Sequence, residues 1–255
     1  MEVLHKAENP THKGFAMYGD YEISDSIELV FPNHKINISK NGEKMFEYLR
    51  VDKENKEIRK IIPTDTGNLK IIVAPIRPLN YPSRRTEHVM LKFDSEFHIP
   101  SNSDTSLYVR CPIEVGIFLN QNGLDSLDCF SCNESESRFS HYGKPDGGVL
   151  CKYAKTPISE SHVQVREYMD ALMQVKIKNS IGEGHGIKKL MFHITNFKIY
   201  YKDSQCLVDS LTSELRKRGH LNIHSTRAEI IQTEFTESPV WEPTTHTKKD
   251  EFEVE

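Results

Sequence analysis

The chain is expected to be mainly β: two antiparallel β-sandwich-like lobes with at most one or two short helices. Three observations carry that expectation. Apolar residues recur with a period of two, which lets a strand turn one face to a core. The longest apolar-rich runs, such as "LKIIVAPI" and "CPIEVGIFL", have strand length. Only two segments compete as helices. The 255 residues, 37% hydrophobic and 27% charged, suffice for a buried core in one large domain or two smaller ones.

In chain order, "EISDSIELVF" and "HKINISK" alternate, with Ile27, Leu29 and Phe31 on one face, then Ile36 and Ile38. "LKIIVAPI" and "HVMLKFDSEFHI" read as further strands, Val89, Leu91 and Phe93 sharing a parity. In "SLYVRCPIEVGIFL", Ile113, Val115, Ile117 and Leu119 alternate. Pro112 marks a strand edge or start, because proline cannot donate to a ladder. The turn "KPDGG" leads into "VLCKY", Gly147 and Gly148 being free to take positive φ. "YMDALMQVKIKNS", the loop "SIGEGHG", the long run "IKKLMFHITNFKIYY" and "HLNIHSTRAEIIQTEF" continue the pattern. The helical competitors are "VQVREYMDALMQV", with Val165, Tyr168, Met169 and Leu172 at helical spacing, and "SLTSELRKRG".

The polar, proline-bearing "KTPISES" at 155–161 is the expected junction between lobes. This gives a polar arm over 1–14, a first β lobe over 15–156 and a second, immunoglobulin-like lobe over 157–238. An acidic tail over 239–255 lacks the apolar groups that would offset the cost of ordering it.

Net charge is −4 with acids and bases mixed, so no broad electropositive face is expected for a phosphate backbone, and nucleic acid is not an expected partner. The dibasic spots Arg84-Arg85, Lys188-Lys189 and Arg216-Lys217-Arg218 read as solvated surface. The N-terminus lacks the apolar core of a secretion signal. No stretch approaches the roughly 18 apolar residues of a membrane span. Five cysteines without a regular framework suit reduced thiols. A cytoplasmic protein is the expectation.

Cys129, Cys132, His141 and Cys151 follow the spacing C-x2-C-x8-H-x9-C, a possible zinc set. Against it, "LDSLDCFSC" looks extended, and residues i and i+3 of a strand point to opposite faces. Cysteine as a small half-buried hydrophobe is the reading preferred, with no cofactor expected and zinc the alternative. "GEGHG" at 182–186 is neither a phosphate loop nor a dinucleotide fingerprint. His220 and His224 on an extended chain are too far apart to share an ion. Glu114, an acid inside an apolar strand, alternates with Pro112 and Gly116 and is expected to face away from the core, exposed or ion-paired.

"MYGDYEI" (17–23), "CPIEVGIFL" (111–119), "SHYGKPDGGVLCKY" (140–153) and the "NSIG", "IKKLMFHI" and "KIYY" series resemble an archaeal family of uncharacterised proteins, a domain of unknown function. Pro112-Ile113-Glu114 and the Tyr142-Gly143 turn match its pattern. His141 stands where a leucine is usual, and Lys152-Tyr153 where an Arg-Tyr pair is usual. Neither Cys129 nor Cys132 belongs to that pattern. The resemblance spans roughly 15–235 and implies a cytoplasmic protein with no assigned activity and no catalytic residue.

Function is expected to be non-catalytic binding or assembly, through a protein partner or self-association. Strand addition or a sheet face bearing Phe192, Phe197, Tyr200 and Tyr201 would serve, Phe192 and Phe197 reading more as core than the tyrosines. The alternative is a small-molecule or metal-dependent enzyme whose ligand meets His141, Tyr142, Lys144 and Asp146 near the 140–148 turn.

Overall fold

The computed structural model describes residues 16–81, 85–133, 138–144, 146–161, 163–217, 220–228 and 234–242. The predicted arm 1–14 and the tail beyond Glu242 lie outside the described residues, as do Arg84, Pro145, Arg218 and Gly219. Twenty strands and no helix occupy the described residues, and no helix there is long and apolar enough to cross a membrane.

The first sheet has the order β1 (Gly19–Ile23), β6 (Leu69–Ile76), β9 (Glu114–Asn120), β10 (Leu124–Phe130). The second is a meander of β2 (Ser26–Phe31), β3 (His34–Lys40), β4 (Met45–Asp52) and β5 (Glu57–Pro63). The alternation in "SIELVF" and "HKINISK" buries Leu29, Phe31, Ile36 and Ile38 as predicted. Asn33 and Asn55 take positive φ in the connecting turns, a conformation asparagine tolerates better than most side chains. The two sheets pack face to face: Phe31 meets Phe130 edge-on at 5.3 Å. Beneath them Arg50 Nε and Tyr48 Oη both donate to Asp128 Oδ2 at 2.7 Å.

The third sheet has the order β11 (Arg138–Tyr142), β12 (Val149–Thr156), β7 (His88–Ile99), β15 (His185–His193), with β12 and β7 parallel. The fourth runs β13 (Ile158–Ser159), β8 (Ser103–Pro112), β14 (Asp170–Asn179), β17 (Gln205–Val208), β16 (Ile199–Lys202), β20 (Thr236–Glu237). Past β17, β18 (Ser210–Lys217) continues parallel to β14 and pairs with β19 (His220–Thr226). The chain turns the corner between these sheets at β7–β8 and β12–β13. Asn179 Nδ2 holds the first corner by donating to Pro100 O at 2.8 Å.

Neither helical competitor is a helix: residues 163–169 of the first are irregular chain and turn, and its remainder enters a strand. "DALMQVKIKN" is β14, central in its sheet, where ladders on both edges and burial of Ala171, Met173, Val175 and Ile177 outweigh a weak helical pattern. "SLTSELRK" is β18. Pro112 ends β8 rather than starting a strand, and it sits where the chain passes from the fourth sheet to the first.

That passage sets the division of the molecule. One sandwich uses residues 19–76 and 114–130; the other uses 88–112 and 138–237. β8 and β14 pair from Asp170↔Pro112 to Asn179↔Ser103, so the stretches expected as lobes, 15–156 and 157–238, share the third and fourth sheets. One core cluster runs through both sandwiches, the condition under which two units pack as one body. Tyr18, Phe31, Tyr168 and Tyr201 form the joint, with ring centroids 5.2 to 5.7 Å apart. Tyr200 and Tyr201 are therefore buried like Phe192 and Phe197, and none of the four offers a free aromatic face. Trp241, in the expected tail, packs on Phe118 at 5.4 Å.

Candidate functional site

At the joint an acid and a base from different sandwiches are buried together. Glu114 opens β9 immediately after the chain crosses between sheets; Lys152 is on β12 of the third sheet. Glu114 Oε2 and Oε1 accept the backbone N–H groups of Asn80 (2.9 Å) and Tyr81 (3.1 Å). Lys152 Nζ stands 3.9 Å from Glu114 Oε1, donates to Tyr81 O at 2.6 Å and lies 5.3 Å over the Phe139 ring.

Burial pushes the Glu114 carboxyl up to about 7, against the opposing pull of Lys152 and of the Asn80 and Tyr81 donors. Burial likewise lowers the Lys152 ammonium, with Glu114 opposing. Glu114 is 1% exposed, which corrects the expectation of an outward-facing acid, although the ion pair is present. The alternation rule assumes a strand with one open face. β9 is closed on both: its Glu114 side lies under the 78–81 segment and β12, and near Gly116 the rings and methyls of Phe118 and Ile76 leave no room for a Cβ.

Around this pair runs a narrow crevice lined by Pro112, Lys152, Arg166, Met169 and Asp170 among others. Its enclosed space is about 20 Å³, room for a water molecule and not for a substrate. Arg166 donates to Asp170 through Nε (2.6 Å) and Nη2 (3.1 Å). Tyr168 between them has φ 61, a left-handed conformation unfavourable for a bulky side chain, held here by burial and its ring contacts.

Arg166 also walls a second, wider depression on the edge of the fourth sheet, shared with Arg110, Pro157, Ile158, Val163 and Gln164. Its space is about 440 Å³, within the range of ligand sites. Arg110 N donates to Thr156 Oγ1 at 2.8 Å, but the buried Arg110 Nε has no hydrogen-bond partner among the described residues. Arg110, Arg166 and Asp170 went unremarked in the sequence. No spacing marks them; the pairing of β8 with β13 and β14 brings them together.

The residues named from sequence are placed elsewhere. His141 and Tyr142 end β11, and Lys144 and Asp146 follow in the turn; His141, Lys144 and Asp146 are exposed and Tyr142 half-buried. Tyr142 carries the Lys189 ammonium 4.9 Å from its ring. None of the four lines either depression, whereas Lys152 on the same hairpin does.

All five cysteines are free thiols. Cys129, beside Gly116 on β10, lies near Glu114, Asp128 and Arg50, and burial above all pushes its thiol up to about 12. Cys132 lies instead against Tyr18 and Tyr168. Cys151 is buried in the third sheet opposite Ser140, one register step from the position His141 holds against Leu150. The candidate zinc set is thus distributed over separate surroundings. Among the described residues, no group of three His, Cys, Asp or Glu side chains is placed to hold a metal ion.

Fold and site together define a mainly β protein of two joined sandwiches, its chain crossing between them at Pro112–Glu114 over a buried acid–base pair. The chain belongs to the family described as Protein of unknown function (DUF432), whose model matches residues 17–253. No curated protein and no solved structure matches it.

Proposed function

We propose that the protein is a non-catalytic binding module that takes up an extended peptide, or a second copy of itself, by strand addition to the outer edge of β8. One observation carries this reading. Among the described residues β8 pairs with β14 along its whole length, but on its other side only Tyr108 and Val109 pair, with β13. The N–H of Arg110 points outward, to Thr156. By alternation the N–H groups of Asp104 and Ser106 point outward as well. Both residues are exposed. A short row of open donors and acceptors beside a groove is what β-augmentation uses: main-chain bonds supply affinity and the groove supplies selectivity.

The test is selection of peptides from a random displayed library on the immobilised protein, followed by hydrogen exchange. Support requires that enriched peptides protect the Asp104 and Ser106 amides and lose binding to Asp104→Pro, which removes one outward donor and no β14 bond. Concentration-dependent dimerisation abolished by the same substitution identifies a second copy as the occupant. Enriched peptides that bind the proline variant equally well, or no enrichment together with a monomer at all concentrations, overturn the reading.

An enzyme is favoured only by Glu114, an acid titrating near neutrality beside a lysine, the pattern of a general acid–base pair. The space beside it admits water rather than substrate, and His141, Tyr142, Lys144 and Asp146 do not converge on it. Turnover lost in Glu114→Gln on a panel of hydrolysable esters and phosphates would restore the enzyme.

A further inference from the structure

The groove at the β13 edge holds an unsatisfied cationic donor. Arg110 leaves β8 on the side away from the core, since Leu107, Val109 and Cys111 are the buried parity. It lines the groove together with Pro157, Ile158 and Val163, and its Nε is buried without an acceptor among the described residues. A buried donor of a charged group left unpaired is among the costlier local arrangements in a protein, and native chains retain few of them. An acceptor supplied from outside removes that cost.

We propose that this groove is a carboxylate-binding subsite with Arg110 as its anchor. Arg166, the other cation in the groove, already donates twice to Asp170, so the donor left open among the described residues of the groove is Arg110 Nε, and a carboxylate supplies its acceptor. The planar fork of a guanidinium matches a carboxylate in bidentate geometry, and the apolar wall accommodates a short aliphatic body next to the charged end. A dianionic phosphate carries a second charge that Arg110 alone does not neutralise. β13 covers the β8 edge at Tyr108 and Val109, between the open stretch at Asp104 and Ser106 and Arg110, so a peptide paired at Asp104 and Ser106 would have to carry its chain end past β13 to bring a carboxylate to the guanidinium. The carboxylate subsite thus deepens the strand-addition reading by naming the group its ligand presents.

The experiment follows the Arg110 Nε–H resonance in proton–nitrogen spectra of the full chain. Three probes are titrated at constant ionic strength: sodium butyrate, inorganic phosphate, and an acetylated Val-Thr-Val-Thr-Val peptide as the free acid and as the amide. The subsite requires a saturable shift of that resonance with butyrate or the acid peptide and a smaller one with phosphate. Arg110→Lys, which keeps the charge but lacks the Nε–H, should weaken binding about 10- to 100-fold, as loss of a charge-assisted bond predicts. Acid peptide binding at least tenfold tighter than butyrate, with protection of the Asp104 and Ser106 amides, identifies a peptide as the source. Equal affinities identify a free carboxylic acid. Arg110 Nε–H shifts that do not saturate, or an affinity, read from the backbone amide shifts of Ile158, Ser159 and Val163, that Arg110→Lys leaves unchanged, overturn the subsite.

The two proposals fail separately. Butyrate binding that survives Asp104→Pro, with no peptide effect, keeps the subsite and removes strand addition. Acid and amide peptides bound alike but lost in Asp104→Pro do the reverse.

Discussion

Glu114 Oε1 and Lys152 Nζ, carried by strands of different sandwiches, face each other at 3.9 Å with side chains 1% and 7% exposed. The pair spans the joint, so its protonation is coupled to the stability of the whole molecule. Because the folded carboxyl titrates at about 7, against 4.5 for the ordinary group, the folded state binds this proton more tightly than the unfolded chain. Its stabilising contribution is complete below pH 4.5 and is lost as pH rises to 7. The loss is on the order of 3 kcal/mol by the usual conversion of a pKa shift. Denaturant melts at intervals from pH 4.5 to 8 should show that decline in the wild type and a much flatter profile for Glu114→Gln. Parallel profiles would refute the assignment.

Asp128 and Arg50 form a second buried pair, and Tyr48 Oη donates to the same carboxylate oxygen. Asp128→Ala leaves the guanidinium buried without its partner and should cost about 3–5 kcal/mol, whereas Arg50→Met with Asp128→Leu together should cost much less. Urea unfolding of the single variant and the double variant measures the difference.

Packing at the crossing strand predicts a contrast between two glycines. A Cβ at Gly116 would come within 2.8 Å of Ile76 Cγ2 and 2.9 Å of Phe118 Cε2, and at Gly147 it would meet nothing within 4 Å. Gly116→Ala should destabilise by about 1–3 kcal/mol through overpacking, and Gly147→Ala should leave the melting temperature nearly unchanged.

Thiol chemistry gives the fourth test. Cys111, Cys132, Cys151 and Cys206 are buried, and burial holds the half-buried Cys129 thiol near 12, so the thiolate that reacts is scarce at neutral pH. Ellman's reagent should label native protein slowly and all five thiols on unfolding. Treatment with a strong chelator should leave the melting temperature in place. A chelator-induced drop with release of zinc would revive the metal reading of Cys129, Cys132, His141 and Cys151.

Strand residues were legible where a strand has one wet face. Leu29, Phe31, Ile36, Ile38, Val89, Leu91 and Phe93 are buried as their parity indicated. The rule failed at Glu114, where both faces are covered and alternation carries no information about exposure, and Tyr200 and Tyr201, read as the less core-like of the four aromatics, are buried as well. The helical pattern in 163–175 was real but too short to compete with ladders on both edges of β14. Of the groove, Ile158 and Ser159 were within the expected junction, yet nothing nearby in the chain indicated that Arg110 would lie beside them.

By itself the sequence determined the strands, their inward faces and the family, because period-two alternation and short motifs are local properties of the chain. Only the tertiary structure decided which strands share a sheet, where one sandwich ends, and that Glu114 meets Lys152 while Arg110 Nε is left without an acceptor among the described residues. Those outcomes come from pairings such as β8 with β14, between segments some sixty residues apart. A ladder hydrogen bond is the same whichever strand supplies it, so local chemistry does not specify the partner; burial of the whole core does.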